Sequence, residues 1–420
     1  MNKTFKVVIL AAGKGVRMNS DLPKVMHTIC AKPMLKFVLE NVRQTKIKDT
    51  IAVVGFRADL VKRILEKDIK IVVQRKLLGS GDAVKAASGK IKGFKGNILV
   101  LNGDSPLVNP ETIKGLIKAH IQKDASCTFL TANVDNPKGY GRVIRDNYSR
   151  VTRIGEDLDI ATPQRQINEI NAGVYCFKCP DLVKSLGKIK SDNKKKEFYL
   201  TDIIEIFASQ GLKIETFVTE DKSEALGINS REDLALANEI MRQRILNHHM
   251  ANGVTILNPQ MTFIYPDVTI GKDAIIYPFS VIENNVAIGK NCSIGPFAHI
   301  RPGTKIDDEV VLGNFVEASR SKIGRGTLAK HFSFLGDAQI GKNVNIGAGV
   351  VTANYDGKNK NTTKIEDGAF IGSDTILVAP IKIGKKAITG AGSVVTKGKN
   401  IPAGKVALGV PARVVVKEKK

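Results

Sequence analysis

The chain has 420 residues, 43% hydrophobic and 25% charged, a balance suited to roughly two or three soluble domains. No run of about 18 apolar residues occurs, which excludes an evident membrane-spanning helix. A net charge of +23 attracts anions, but the basic residues are dispersed, aromatics are 5% and tryptophan is absent, so a nucleic-acid-binding scaffold is a third reading behind two enzymatic ones.

The leading residues pass directly into the apolar run 7–12, which is too short for a secretory leader and lacks its cleavage pattern; a cytoplasmic protein is expected. Residues 6–10, 50–55 and 97–101 read as strands, and 24–45 as a helix broken near Pro33. Strands alternating with helices predict a Rossmann-like, mostly parallel α/β sheet covered on both faces, with ligands beyond the carboxyl ends of the strands. The five cysteines (Cys30, Cys127, Cys176, Cys179 and Cys292) are scattered and odd in number, which argues against a disulfide framework; the single C-x-x-C has no second pair to complete a zinc site.

Behind the first strand comes Leu10, Ala11, Ala12, Gly13, Lys14, Gly15, Val16, Arg17 and Met18. Glycines at a strand end let backbone N–H groups approach phosphate oxygens, although the spacing is neither that of a Walker loop nor that of a dinucleotide fingerprint. Arg17 and Lys24, the latter stiffened by Pro23, are cations suited to charge developing on a leaving pyrophosphate.

Residues 230–249 read as a connecting helix capped by Asn229 or Ser230, with Asp233 in its first turn and Leu234, Ala237, Ile240, Met241 and Ile245 on one stripe. Beyond it the period changes to six. Ile264, Ile270, Ile276, Ile282, Ile288, Ile294, Ile300, Ile306 and Leu312 recur strictly, and the repeat resumes at Ile340 and Ile346 and again at Ile365, Ile371, Leu377 and Ile383. Such a hexapeptide repeat predicts a left-handed parallel β-helix whose coils must stack to bury their aliphatic side chains. The polar segment 354–360 interrupts the repeat and predicts a projecting loop. The expected domains are 1–231, a linker helix 232–252, and 253–420. His331, one of only six histidines, supplies an imidazole suited to general-base work near neutral pH.

The glycine loop with Arg17, Leu22-Pro23-Lys24, Gln74 with residues 78–81, Asn102-Gly103-Asp104, the run 139–142, Glu156, the run 169–173 and the run 197–202 together resemble the nucleotidyltransferases that make nucleoside-diphosphate sugars. With the hexapeptide part, nearly the whole chain resembles the bacterial bifunctional N-acetylglucosamine-1-phosphate uridylyltransferases / glucosamine-1-phosphate acetyltransferases. The resemblance implies that Asp104 and Asn229 hold Mg²⁺. It implies that Leu10, Ala11, Ala12, Gly13, Lys24, Gln74, Gly79, Ser80, Asn102, Gly103, Asp104, Gly141, Glu156, Asn171 and Asn229 contact UTP or the UDP-sugar, with Arg17 and Lys24 catalytic. In the second half it implies His331 as the base, Arg301, Asn345 and Lys360 on glucosamine 1-phosphate, and Ala348, Asn354, Tyr355, Ser373 and Ala391 on acetyl-CoA, in a homotrimer. N-acetylglucosamine 1-phosphate is then the acceptor of the uridylyl group, and no nucleic acid is involved.

Several positions depart from the family pattern. Ser80 stands for a common Thr and Asp82 for a common His. Ser319, followed by Arg320, stands for Lys; Phe334 stands for Tyr; Gly409 stands for Arg, with Arg413 nearest; and the tail 417–420 is short. Ser319 and Phe334 favour the competing expectation of a uridylyltransferase whose β-helix is only structural or of altered specificity, whereas His331, Asn354 and Tyr355 favour the bifunctional one.

Overall fold

The computed structural model describes residues 5–415, so the short tail 417–420 lies outside the described residues. The chain forms two compact units, Met1–Ile240 and Met241–Lys420. The division falls inside the long helix Arg231–Ala251.

The first unit is built on strands β1 (Phe5–Ala11), β2 (Thr50–Val54), β3 (Lys70–Val73), β4 (Asn97–Asn102), β5 (Cys127–Asn133), β6 (Arg142–Arg145), β7 (Val151–Gly155), β8 (Glu169–Lys178) and β9 (Ile214–Val218). Their order across the main sheet is β9-β5-β8-β4-β1-β2-β3, with β6 and β7 hanging from β8. β1 pairs in parallel with both β2 and β4, while β8 runs antiparallel between β4 and β5. Val7, Val8 and Ile9 of β1 are fully buried, as expected of a central strand covered on both faces. Two apolar clusters lie on opposite faces: Val7, Ile9, Leu99 and Leu101 point to one, and Val8, Ile51, Ile98 and Val100 to the other.

The expected broken helix 24–45 is corrected. Lys24–Met26 is a single 3-10 turn, Thr28–Ile29 and Lys32–Pro33 pair as a small hairpin, and the helix α1 covers only Met34–Gln44. Cys30 and Ala31 both have positive φ, a tight reversal incompatible with a continuing helix. At the far end of the unit, Asp233 Oδ2 accepts from the backbone N–H groups of Asn229 and Ser230 at 2.9 Å each, and Ser230 Oγ accepts from Asp233 N at 3.1 Å. This reciprocal cap starts the Arg231–Ala251 helix where the sequence placed it.

The second unit is a left-handed β-helix of three stacked parallel sheets. One ladder runs Ile282, Ile300, Ala318, Leu335; in the others Ile276 stacks on Ile294 and Leu312, and Ile288 on Ile306 and Ile323. All of these are buried inside the prism.

The lapse of the six-residue period after Leu312 has a local cause. From Ile264 to Ala318 partners are 18 residues apart, but they are 17 apart at Arg320/Asp337 and at Ser321/Ala338. One corner has lost a residue in two successive coils, with Arg320 and Asp337 both taking left-handed φ values of 50° and 47° there. At the next coil that corner expands, and Lys342 and Asp367 lie 25 positions apart. The surplus is the predicted loop, closed by Asn361 N donating to Asn354 O at 2.6 Å and by a bridge between Tyr355 and Lys360. All five cysteines are buried and none is in a disulfide, and among the described residues no helix is long and apolar enough to cross a membrane.

Candidate active sites

The carboxyl ends of β1 and β4 lie side by side, and Gly103 N donates to Leu10 O at 2.9 Å. The loop leaving β1 passes Gly15 at φ 71°, and a Cβ there would lie 2.6 Å from Lys24 Cβ. Gly15 is therefore required twice over, by its left-handed backbone and by the lysine stem that runs against it. Lys24 is directed at the end of β4. Its ammonium forms an ion pair with Asp104 Oδ2 and donates to Asn229 Oδ1 at 2.6 Å. Asn229 is itself anchored, its Nδ2 donating to Gly227 O at 3.0 Å.

Asp104 and Asn229 open onto a cavity of about 190 Å³ that is also lined by Ser80, Asn102, Gly141, Glu156, Asn171 and Thr201. Glu156 Oε1 accepts from Thr201 Oγ1 at 2.9 Å, and burial raises its carboxyl above the usual range. Asn171 Nδ2 donates to Tyr175 Oη at 2.6 Å, and its Oδ1 accepts from Gly173 N at 3.1 Å, which fixes the amide. Asp202, beside this floor, is pushed up to about 7, first by burial and then by the charge of Glu156.

Gln74 is 5% exposed, and its Nε2 donates to Gly79 O at 3.1 Å and to Asp82 Oδ2 at 2.7 Å. The unusual Asp82 thus holds the glutamine's donor end, and Ser80 Oγ accepts from Leu200 N at 2.9 Å, so the hydroxyl is used structurally. Gly79, at φ 107°, lies where a Cβ would meet Phe198 O at 2.6 Å. Ala11 and Ala12 are buried and Leu10 is half-buried, whereas Gly13 and Arg17 are exposed; the structure gathers Lys24, Asp104 and Asn229 on one another.

In the second unit, Phe334, Val351, Ile376 and Val394 are successive register partners. His331, Ala348, Ser373 and Ala391 each lie three residues before one of them and so form one column along a corner of the prism. His331 and Ser373 are exposed, and Asp374 N donates to Ala348 O and Gly392 N to Ser373 O, continuing the stack. Asn345 lies on the preceding wall, paired with Leu328 and Phe370.

The other edge of the His331 wall is the shortened corner. Arg320 donates from Nε and Nη2 to the two oxygens of Asp337 at 2.7 and 2.8 Å, and from Nη1 to Ser319 Oγ at 2.8 Å. Asn354 Nδ2 donates to the same Asp337 carboxylate, which the Arg320 hydrogen bonds hold below the usual range with help from Asn354 and the Lys360 charge. Arg301 Nη1 pairs with Glu317 Oε1 at 2.9 Å. Arg320 is thus committed to Asp337 and covers Ser319, which is 1% exposed. Tyr355 is 62% exposed, with its hydroxyl donating to Gly357 O within the loop. Within one chain, His331 and the Arg301–Lys360 edge occupy opposite margins of a wall.

A family model described as nucleotidyl transferase matches residues 6–228, and one described as bacterial transferase hexapeptide (six repeats) matches residues 285–317 and 362–397. The Bifunctional protein GlmU of Geobacillus sp. (strain WCH70) is 43% identical over 422 residues, covering 93% of this chain and 92% of the relative. Those of Desulfitobacterium hafniense (strain DSM 10664 / DCB-2) and Clostridioides difficile (strain 630) are 42% and 40% identical, covering 96% and 99% of this chain and 96% of each relative.

The chain belongs to the bifunctional GlmU family.

It carries both transferase parts of that family, a nucleotidyltransferase and a hexapeptide acyltransferase, and is a bifunctional enzyme of sugar-nucleotide synthesis. Against the GlmU-like pattern, sequence reasoning missed three side chains. Tyr175 fixes Asn171. Arg231 donates to Met18 O at 3.1 Å and lies 3.2 Å from His27 Nδ1, tying the glycine loop to the Asn229 segment. Asp337 organises the shortened corner. Only Asp337 had a sequence signal, the shortened period itself.

Proposed function

We propose that this chain makes UDP-N-acetylglucosamine in two steps, acetylating glucosamine 1-phosphate with acetyl-CoA and then transferring a uridylyl group from UTP to N-acetylglucosamine 1-phosphate. The observation that carries the reading is the convergence of Lys24, Asp104 and Asn229 at the cavity behind the glycine loop. The nucleotidyltransferase family works with a divalent cation, and here we assign Mg²⁺. One carboxylate and one amide oxygen already gathered on a single ammonium suit a hard cation, which Asp104 and Asn229 would hold. Bound there, Mg²⁺ supplies charge neutralisation to the triphosphate.

The chain's own groups do the rest. The glycine loop and the Lys24 and Arg17 cations hold the phosphates; Gln74, Gly79 and the backbone of residues 10–13 read the base and ribose; Gly141, Glu156 and Asn171 orient the sugar. A phosphate oxygen of the acceptor attacks the α-phosphorus in line, the bond to the β-phosphate oxygen breaks, and pyrophosphate leaves. In the β-helix, His331 takes the proton from the amine as its nitrogen attacks the thioester carbon and the CoA thiolate departs. The Ala348, Ser373 and Ala391 column offers small side chains along which a pantetheine arm can lie. Because His331 and the Arg301–Lys360 edge lie on opposite margins of one wall, a homotrimer that sets one chain's margin against the next completes the site. The cytoplasm, where both nucleotide and CoA substrates are held, is the assigned location.

Asp104→Ala is expected to abolish pyrophosphate release from UTP while thiol release from acetyl-CoA continues, and His331→Ala to do the reverse. Loss of both activities in either folded variant would refute the division of labour. Absence of thiol release by the wild type, with pyrophosphate still formed, would leave a uridylyltransferase with a structural β-helix.

A further inference from the structure

Lys24 does more in this arrangement than stand near the phosphates: its ammonium sits on both oxygens that suit a divalent cation. We propose that Lys24 is a built-in counter-cation that closes the divalent-cation site until a nucleotide draws it away. This rests on the reading of Asp104 and Asn229 as cation ligands.

The two occupants exclude each other. A dication held by Asp104 and Asn229 would lie within contact distance of the ammonium now on Asp104 Oδ2 and 2.6 Å from Asn229 Oδ1. Like charges that close, in a half-buried site, repel strongly. The closed arrangement is also well supported. Pro23, at φ −53°, leads into the Lys24–Met26 turn, and the lysine stem is guided along Gly15, where a Cβ would meet Lys24 Cβ, Cγ and Cδ at 2.6, 3.0 and 3.2 Å. Asn229 is pinned from its other side by Gly227.

The same stem provides the release. It lies against the glycine loop that is assigned the phosphates, so a bound triphosphate presents the ammonium with a second anionic partner through side-chain rotation alone. The site then has two states: Lys24 on Asp104 and Asn229, or Lys24 on phosphate with the two oxygens freed. A ligand that favours the second state must strengthen cation binding, and the cation must strengthen nucleotide binding by the same factor. If the closed state holds about nine-tenths of the free enzyme, cation affinity in the absence of nucleotide is reduced about tenfold.

The test is Mn²⁺ binding to the full-length protein without nucleotide, read from the electron paramagnetic resonance signal of the free aqua ion. Lys24→Met is expected to bind Mn²⁺ about tenfold more tightly than wild type, even though uridylyl transfer falls, and Lys24→Arg to stay near wild type. A non-hydrolysable UTP analogue should also tighten Mn²⁺ binding by more in the wild type than it does in Lys24→Met. Lys24→Met binding no more tightly than wild type, with Asp104→Asn still weakening Mn²⁺, overturns the exclusion and leaves the cation site standing. Mn²⁺ binding unaffected by Asp104→Asn in either background removes the cation site itself, and the proposal with it.

Discussion

Gly15 illustrates how little room the nucleotide site allows. A methyl group there must displace the Lys24 stem and forces an L-residue into a left-handed backbone. Gly15→Ala is expected to lower kcat/KM for uridylyl transfer on the order of a hundredfold, with a stability loss of only about 1–2 kcal/mol, measurable by steady-state kinetics and urea unfolding. Asp202 makes a different prediction. Its folded pKa, near 7 and above its ordinary 3.8, means that the native state binds the extra proton between those values, so stability falls as pH rises through that window. Asp202→Asn should therefore raise the thermal midpoint above pH 7 and leave it unchanged near pH 4. At this scale the sequence was legible motif by motif. Lys24, Asp104 and Asn229 each stood out, but Lys24 and Asn229 lie 205 positions apart, and their meeting on one ammonium is a property of the fold. Tyr175 could not be found at all, because a buried tyrosine in a strand looks like core until its hydroxyl is seen against Asn171.

Among the elements, helix starts were read well where the cap is local. Ser230 and Asp233 are three residues apart, and Ser230→Ala is expected to cost about 1 kcal/mol in urea unfolding. The segment 24–45 was misread because apolar spacing alone does not reveal the reversal at Cys30 and Ala31, whose positive φ values ended any continuous helix. The hexapeptide walls were evident from period. The shortened corner was not: the loss of one residue in two successive coils looked like a lapse in the pattern, whereas it brings Arg320 onto Asp337 and folds Ser319 beneath them. This also explains why Arg320 is no simple replacement for a lysine at Ser319: its guanidinium is already engaged by a carboxylate. Freeing it with Asp337→Asn should change the KM for glucosamine 1-phosphate more than the KM for acetyl-CoA, as followed by thiol release.

For the molecule as a whole, the change of period near residue 253 disclosed two architectures, and the alternation of strands and helices before it disclosed the first sheet; the antiparallel β8 in its middle was not visible from sequence. The charge of +23 acts at this scale too. Both proposed reactions use polyanionic substrates, so kcat/KM for UTP should fall as salt rises from low ionic strength, while kcat at saturation changes little. The β-helix corner has a further implication. Beyond the first coil, the departures from the regular period, two deletions and then one insertion, fall on a single edge, while the ladders of the three walls remain in step. Chain length can vary there without disturbing which isoleucine rests on which, so that edge is where a descendant of this protein can acquire a different acceptor and keep its scaffold.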